Sequence, residues 1–194
     1  MDGLNYILAN RSQVMVLRAL YKANESLTGR GVERACGLSN RSTMLALEFL
    51  VEARAVTRAE TGNSYLYSLN HGHYLVSKAL KGAFEAEELF WDDLRKTVRR
   101  VVRPRPMAAV ATGPLAREET DYGGRLIVTM LFTTGRARIK SLGTINKLGE
   151  AIKERYGMTL EHHLLDTNTM DREEYTPLWR RVEKEGILLF GTLP

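Results

Sequence analysis

The first third of the chain carries apolar side chains at helical spacing, interrupted twice by short polar stretches. The first helix is predicted to start near Ser12, and its apolar positions lie three or four residues apart, at Val14, Leu17, Leu20 and Tyr21. A short helix over 31–36 is predicted to end at Gly37. Ser39 can then cap a further helix over about 40–53, because its hydroxyl can accept a hydrogen bond from a free amide of the first turn. Together these stretches predict a three-helix core.

A hairpin is predicted directly after these helices. Residues 56–58 favour a strand, and residues 65–69 favour another because their side chains alternate and include two tyrosines. The sequence Glu-Thr-Gly-Asn at 60–63 supplies the turn. A helix, a tight turn and a second helix can place the N-terminal end of the second helix against base edges in DNA. The alternative is a small helical core whose hairpin is polar without a role in binding.

Polar and basic side chains mark the surface that such a unit would present to DNA. Groove contacts are predicted for the start of the second helix, at Asn40, Arg41, Ser42 and Thr43, with Ser39 beside them. Contacts to phosphate or to the minor groove are predicted at Arg30, Arg58, Asn63 and Ser64. The sequence thus favours double-stranded DNA as a partner.

A single long helix is predicted to connect the two halves of the chain. Residues 73–103 contain apolar positions on more than one side and no proline, and Gly82 is the one place where an interruption is expected. Pro104 ends the helix. Its last part is basic, at Arg95, Lys96, Arg99, Arg100, Arg103 and Arg105. These cations either contact phosphate or offset the helix dipole, and the sequence alone favours the dipole.

Strands and helices alternate in the last part of the chain. Strands are predicted over 125–132, 158–165 and 187–190, and helices over 139–156 and about 171–184, after a short apolar run at 107–111. Alternation of this kind predicts α/β architecture. The whole chain is therefore predicted to be α+β with an N-terminal DNA-binding domain over 1–72, a connector helix over 73–103 and a C-terminal α/β domain over 104–194.

Composition narrows the function classes without choosing one. The 194 residues carry a net charge of +5 at a pI near 9.4, which suits a polyanionic partner. No stretch has the length and apolarity of a membrane span or a signal peptide, so we expect a cytoplasmic protein. The lone Cys36 excludes an intrachain disulfide and is expected to pack between helices. His162 and His163 would point to opposite faces of a strand, so no metal site is expected there.

Two segments resemble known families. Residues 28–70, with the wing-like end Tyr65-Leu66-Tyr67-Ser68-Leu69-Asn70, resemble winged helix-turn-helix transcriptional regulators. The stretch Gly113-Pro114-Leu115-Ala116-Arg117-Glu118-Glu119 is similar to the minimal nucleotidyltransferase motif, which has a Gly-Ser pair followed by Ala-Arg-Gly-Glu. The order of strands and helices after it also matches. This resemblance implies a nucleotidyltransferase-like fold for residues 104–194.

The second resemblance departs from the family at the residues that imply activity. The family has two metal-binding aspartates one residue apart on the following strand, and here those positions fall on Arg125 and Ile127, or on Gly124 and Leu126 in the neighbouring register. Proline in place of the serine also removes a backbone donor at the phosphate position. We therefore expect no enzymatic activity, no cofactor and no metal. A remnant nucleotide or anion pocket is expected at Gly113, Arg117 and Arg125.

These observations favour a DNA-binding transcriptional regulator. Its C-terminal domain would sense a ligand, dimerise or dock a partner, and a homodimer is expected because one winged helix reads only a short half-site. Two alternatives stay open. One is a metal-dependent nucleotidyltransferase with a non-standard site in which Asp121 and Glu161 hold the metal. The other is an adaptor whose helical domain binds another protein.

Overall fold

The chain mixes helices and strands in both halves, so its fold is α+β. The computed structural model describes residues 3–119, 123–170 and 172–192. Its contacts divide the chain into two units, Met1–Leu89 and Phe90–Pro194. Within the described residues, no helix has both the length and the apolar character needed to cross a membrane.

The N-terminal unit packs helices against a small antiparallel sheet. Its helices are α1 (Gly3–Ile7), α2 (Arg11–Ala23), α3 (Gly29–Cys36), α4 (Asn40–Glu52) and α5 (Lys81–Glu88), and its strands are β1 (Leu27–Thr28), β2 (Val56–Thr61) and β3 (Ser64–Leu69). The strand order is β1-β3-β2. The two-residue strand β1 is too short to leave a periodic signal, and the sequence did not predict it.

Side-chain caps fix where these helices begin. The side-chain oxygen of Asn10 accepts a hydrogen bond from the backbone N–H of Gln13, and the side-chain oxygen of Gln13 accepts one from the backbone N–H of Asn10. This reciprocal pair starts α2 one residue before the predicted position. Thr28 caps α3 and Ser39 caps α4, so the helix predicted over 31–36 in fact begins at Gly29.

The predicted connector helix over 73–103 is not one helix. A π-helical turn spans Val76–Leu80, α5 follows it, and α6 (Phe90–Val101) begins after a break at Leu89 rather than at Gly82. The break separates two apolar faces. Val76, Leu80 and Phe84 are buried in the core of the N-terminal unit, whereas Leu94, Val98 and Val102 are buried in the core of the C-terminal unit. The apolar residues predicted on several sides of one helix therefore lie on separate helices and pack into two separate cores.

The C-terminal unit is built on a mixed four-stranded sheet. Its strands are β4 (Ala108–Thr112), β5 (Arg125–Phe132), β6 (Thr159–Asp166) and β7 (Ile187–Gly191), and its helices are α6, α7 (Gly135–Tyr156) and α8 (Thr176–Glu185), preceded by a 3-10 turn at Glu173–Tyr175. The order is β6-β5-β4-β7. Only β5 and β6, which α7 connects, run parallel.

The two faces of this sheet differ in chemistry. One face buries Val128, Met130 and Phe132 against α6 and α7. The other face carries Ile127 and Thr129, and the register places Glu161 beside Ile127. Because paired residues in a sheet point to the same side, this second face carries Glu161 with Ile127, and it also carries Leu131, which packs with Leu165 and Trp179 in a smaller apolar cluster.

Candidate functional site

Arg41 stands exposed in the first turn of α4. Its guanidinium makes no hydrogen bond or ion pair within the described parts of the chain. The opposite side of the helix is fixed, because Leu47 and Leu50 are fully buried in the core. A rigid helix therefore presents an unpaired cation at its N-terminal end.

The neighbouring polar residues of this turn already have partners. The Asn40 side chain donates a hydrogen bond to the Glu33 carboxylate of α3 at 2.8 Å. The Ser39 hydroxyl donates to the Ser42 hydroxyl at 2.9 Å and accepts from the Ser42 amide at 3.3 Å. Asn40 is exposed, and its side-chain carbonyl is still available to accept a hydrogen bond. The hydroxyls of Ser39 and Ser42, in contrast, are already used in the cap of the helix.

Thr43 does not face solvent, which corrects its assignment as a groove contact. Its side chain is 0% exposed, and its hydroxyl donates to the Ser39 carbonyl at 3.0 Å. The Cys36 sulfur lies 3.7 Å from the same hydroxyl. The reason is helical spacing: position 43 shares the inward face with Ala46 and Leu47, and the apparent polarity of Thr43 is satisfied locally.

The hairpin presents a second basic group. Arg58 lies on β2, and its guanidinium sits 4.6 Å from the centre of the Tyr65 ring, an arrangement that holds the charge in place. The turn consists of Gly62 and Asn63, and Gly62 has a positive φ of 55° that favours glycine there. Asn63 and Ser64 are exposed at the tip. Arg30 is exposed in the first turn of α3.

In the C-terminal unit, the glycine of the predicted anion pocket lies at the end of β4. Gly113 has a φ of 86°, and a Cβ atom there would lie 2.9 Å from the Cδ1 atom of Ile127. Glycine is required on both counts. The turn that follows brings Arg117 back toward the strand end, with its amide bonded to the Gly113 carbonyl at 3.1 Å.

Glu185, at the end of α8, joins Gly113 and Arg117. Its carboxylate accepts from the Gly113 amide at 3.0 Å and from the Arg117 guanidinium at 2.6 Å. Burial of this side chain opposes ionisation, but the hydrogen bonds from Arg117 and Gly113 outweigh it, and the pKa of Glu185 lies below its usual value. Sequence reasoning missed Glu185, because 68 residues separate it from Arg117 and no local pattern connects them.

Arg125 takes a different carboxylate. Its guanidinium lies 3.3 Å from Glu161 on the neighbouring strand. The structure therefore places Gly113 and Arg117 together with Glu185, and Arg125 with Glu161. Each predicted cation of the pocket is matched by a carboxylate of the chain, and Asp121 lies outside the described residues.

No metal cluster is found in the described ranges, where no three His, Cys, Asp or Glu side chains are arranged to hold an ion. His162 and His163 lie on β6, and burial, followed by the charge of Arg181, lowers the pKa of His163. Two hydroxyls on the second face of the sheet, Thr112 and Thr129, are buried without a hydrogen-bond partner. Among the described residues, this face assembles no set of ligands for an ion.

Comparison with known proteins gives little further information. No protein-family model matches the chain, and no curated protein matches it. Among solved structures, a toxin–antitoxin crystallised with AMP-PNP aligns with 53% of this chain and 73% of its own, at 16% identity and a TM-score of 0.36. A mutant of the toxin–antitoxin MntA-HpeT aligns with the same identity, coverage and TM-score. Similarity at this level carries no argument about mechanism.

The prediction that the chain is not an enzyme is nevertheless wrong against these neighbours, one of which was crystallised with a nucleotide analogue. The prediction rested on the missing aspartate pair and on the proline that replaces the motif's serine. The structure adds two carboxylates that the motif does not include, Glu185 beside Arg117 and Glu161 beside Arg125.

Proposed function

We propose that the N-terminal unit is a winged helix-turn-helix that binds double-stranded DNA, with α4 as its recognition helix and the β2–β3 hairpin as its wing. The observation that carries this proposal is Arg41, an exposed and unpaired cation in the first turn of a helix anchored by its other face. An arginine in this position can contact the O6 and N7 atoms of guanine with two hydrogen bonds.

The charges along α4 define how the helix would enter the groove. Glu48 and Glu52 are exposed in its later turns. Carboxylates repel phosphate, so only the N-terminal turn of the helix is compatible with close approach to the duplex. The proposed interface therefore consists of Asn40 and Arg41 at the bases, with Arg30 and Arg58 on the phosphates.

We further propose that the chain acts as a transcriptional regulator and as a homodimer. One recognition helix contacts only a few base pairs, and a two-fold dimer on paired half-sites doubles the contacted sequence. The C-terminal unit, with its nucleotidyltransferase-like order of elements, would then carry the regulatory or partner-binding role.

A second candidate function is nucleotidyl transfer by the C-terminal unit. The observation that favours it is that this unit carries two carboxylate–arginine pairs, Glu185 with Arg117 at the Gly113 turn and Glu161 with Arg125 on β6 and β5. Carboxylates bind Mg²⁺ and arginines bind phosphate, which are the two requirements of a metal-dependent transfer. Asp121 is the further ligand that this candidate requires.

Selection from a random duplex pool tests the leading proposal. The full chain is expected to enrich a short motif, and Arg41→Ala is expected to lose preference at one base position. Failure to enrich any motif would contradict sequence-specific DNA binding.

Incubation with labelled ATP and Mg²⁺ tests the second candidate function, nucleotidyl transfer. Transfer of label that Glu161→Gln abolishes would support it, and absence of transfer would remove it.

A further inference from the structure

The exposed cations of α6 form a stripe along one side of the helix. Lys96, Arg99 and Arg100 lie on one face of α6, because Lys96 precedes the other two by three and four residues, and Arg103 follows two residues after the helix ends; all four are exposed. The opposite face, with Leu94 and Val98, is buried in the core. Between Leu94 and Arg117 the sequence contains no acidic residue.

Helix α7 extends this stripe. The Thr144 hydroxyl accepts a hydrogen bond from the Arg103 amide at 3.0 Å and donates one to the Arg103 carbonyl at 2.8 Å. Lys140 and Lys147 lie one turn to either side of Thr144 on the same face of α7, and both are exposed. We call the group of Lys96, Arg99, Arg100, Arg103, Lys140 and Lys147 the α6–α7 basic surface.

Offset of the helix dipole does not account for this surface. That effect is confined to the last turn of a helix, and Lys96 precedes the last turn of α6. Lys140 and Lys147 lie outside the terminal turns of α7. The dipole therefore explains Arg99 and Arg100, in the last turn of α6, and leaves Lys96, Lys140 and Lys147 unexplained.

The nearby carboxylates act on the surface only at its Lys96 end, where, after the hydrogen bond from Arg155, the charge of Lys96 contributes to the lowered pKa of Asp93. Asp92 is paired with Arg95 at 2.7 Å, and Asp93 is paired with Arg155 at 2.7 Å. Glu150 lies one turn beyond Lys147, at the far end of the stripe. Two of the cations are also held in place, since Arg99 lies 5.5 Å from the centre of the Phe190 ring and Arg103 donates to the Arg99 carbonyl at 2.7 Å.

We propose that the α6–α7 basic surface binds the phosphodiester backbone of a nucleic acid without reading its sequence. The helical part of the stripe runs from Lys96 to Arg100, which is roughly 6 Å along the helix axis and matches about two phosphates of one strand. The surface offers cations and one aromatic ring, and no arrangement of polar groups that would select a base. This binding does not depend on the recognition helix of the N-terminal unit.

The test is the salt dependence of binding by the full chain. The probes are a labelled random-sequence DNA duplex and a labelled single-stranded RNA of the same length. The triple variant Lys96→Gln, Arg100→Gln, Lys147→Gln leaves Arg99 and Arg103, whose guanidinium groups have contacts within the chain, unchanged. The matched control, Lys78→Gln, Lys153→Gln, Lys184→Gln, removes the same charge from exposed positions elsewhere. Lys153 lies on the other side of α7 from Thr144.

For the triple variant, the slope of log K against log salt concentration is expected to become shallower by about 2 to 3, because each phosphate contact contributes about 0.9 on duplex DNA and about 0.7 on a single strand. The control variant is expected to change this slope little. A shallower slope with the duplex identifies DNA as the ligand, and a shallower slope with the single strand identifies RNA. An unchanged slope on both probes, or an equal change in the control, would overturn the proposal. Arg41→Ala, in contrast, is expected to alter sequence preference and leave the loss caused by the triple variant intact.

Discussion

The side-chain amide of Asn40 donates a hydrogen bond to the Glu33 carboxylate at 2.8 Å, which places a negative charge beside the first turn of α4. This contact links the two helices that we propose to lie nearest to DNA. It orients Asn40, and at the same time it sets an unfavourable charge close to the phosphates.

Glu33→Gln is expected to tighten binding to duplex DNA of any sequence, because glutamine can still accept the hydrogen bond but carries no charge. For a unit charge about 10 Å from a phosphate in water the gain is about 0.4 kcal/mol, roughly twofold. Fluorescence anisotropy at low salt measures it. Glu52→Gln, at the other end of α4, is the control and is expected to have a smaller effect. A loss of affinity in Glu33→Gln would contradict the proposed orientation of the helices.

Thr43→Val is expected to lower stability without changing DNA affinity. The hydroxyl of Thr43 is buried and bonded to the Ser39 carbonyl, so its loss removes one internal hydrogen bond, worth about 1 kcal/mol. Urea unfolding followed by circular dichroism gives the stability, and anisotropy gives the affinity. Weakened DNA binding at a temperature where the variant is fully folded would restore Thr43 to the interface.

Glu185→Ala is expected to destabilise the C-terminal unit by about 1–2 kcal/mol, since it removes hydrogen bonds to Arg117 and to the Gly113 amide from a largely buried carboxylate. Trp91 and Trp179, the two tryptophans of the chain, both belong to this unit, so their fluorescence reports its unfolding.

Glu174→Ala is the matched control for that measurement, because it breaks a pair with Arg172 in which both side chains are exposed. The expected loss is below about 0.5 kcal/mol. Equal losses in the two variants would show that the Glu185 contacts contribute no more than an ordinary surface pair.

Asp93 is expected to make the stability of the C-terminal unit depend on pH in the acid range. Hydrogen bonds from Arg155 and then from the Tyr156 hydroxyl lower its pKa from 3.8 to about 2. A depressed pKa in the folded state contributes stability that is present above pH 4 and is lost as the pH falls toward 2. Asp93→Asn is therefore expected to be less stable than the parent at pH 7, with a difference that shrinks between pH 4 and pH 2. Urea titrations read by tryptophan fluorescence measure this, and a difference that is constant with pH would contradict the assignment.

Local patterns predicted most of the helices and strands of the chain. The capping residue Ser39 acts where the sequence placed it, because capping depends on a few neighbouring residues. The strand over 125–132 has the predicted bounds, since a run rich in β-branched and apolar residues with no charge after Arg125 is typical of a buried strand. The boundary at Leu89 was not predictable, because it depends on which of two cores each apolar residue joins.

The residues of the candidate sites were harder to predict from the sequence than the helices and strands. Thr43 has the polarity of its neighbours, and only its position on the helix shows that it is buried. Glu185 meets Arg117 through a sheet pairing of distant segments, and Lys140 and Lys147 join the α6 stripe through a contact of Thr144 with Arg103. The last two relationships depend on tertiary contacts between residues more than thirty positions apart.

The most direct measurement of the central claim is an anisotropy titration of the full chain and of Arg41→Ala. The ligands are a random-fragment DNA pool and the DNA upstream of the protein's own coding sequence, at two salt concentrations. The account predicts binding that weakens with salt, with specific affinity reduced by about 1–3 kcal/mol in Arg41→Ala. Binding that ignores salt, or equal affinities of the two proteins for every DNA, would contradict the assignment of α4 as a recognition helix.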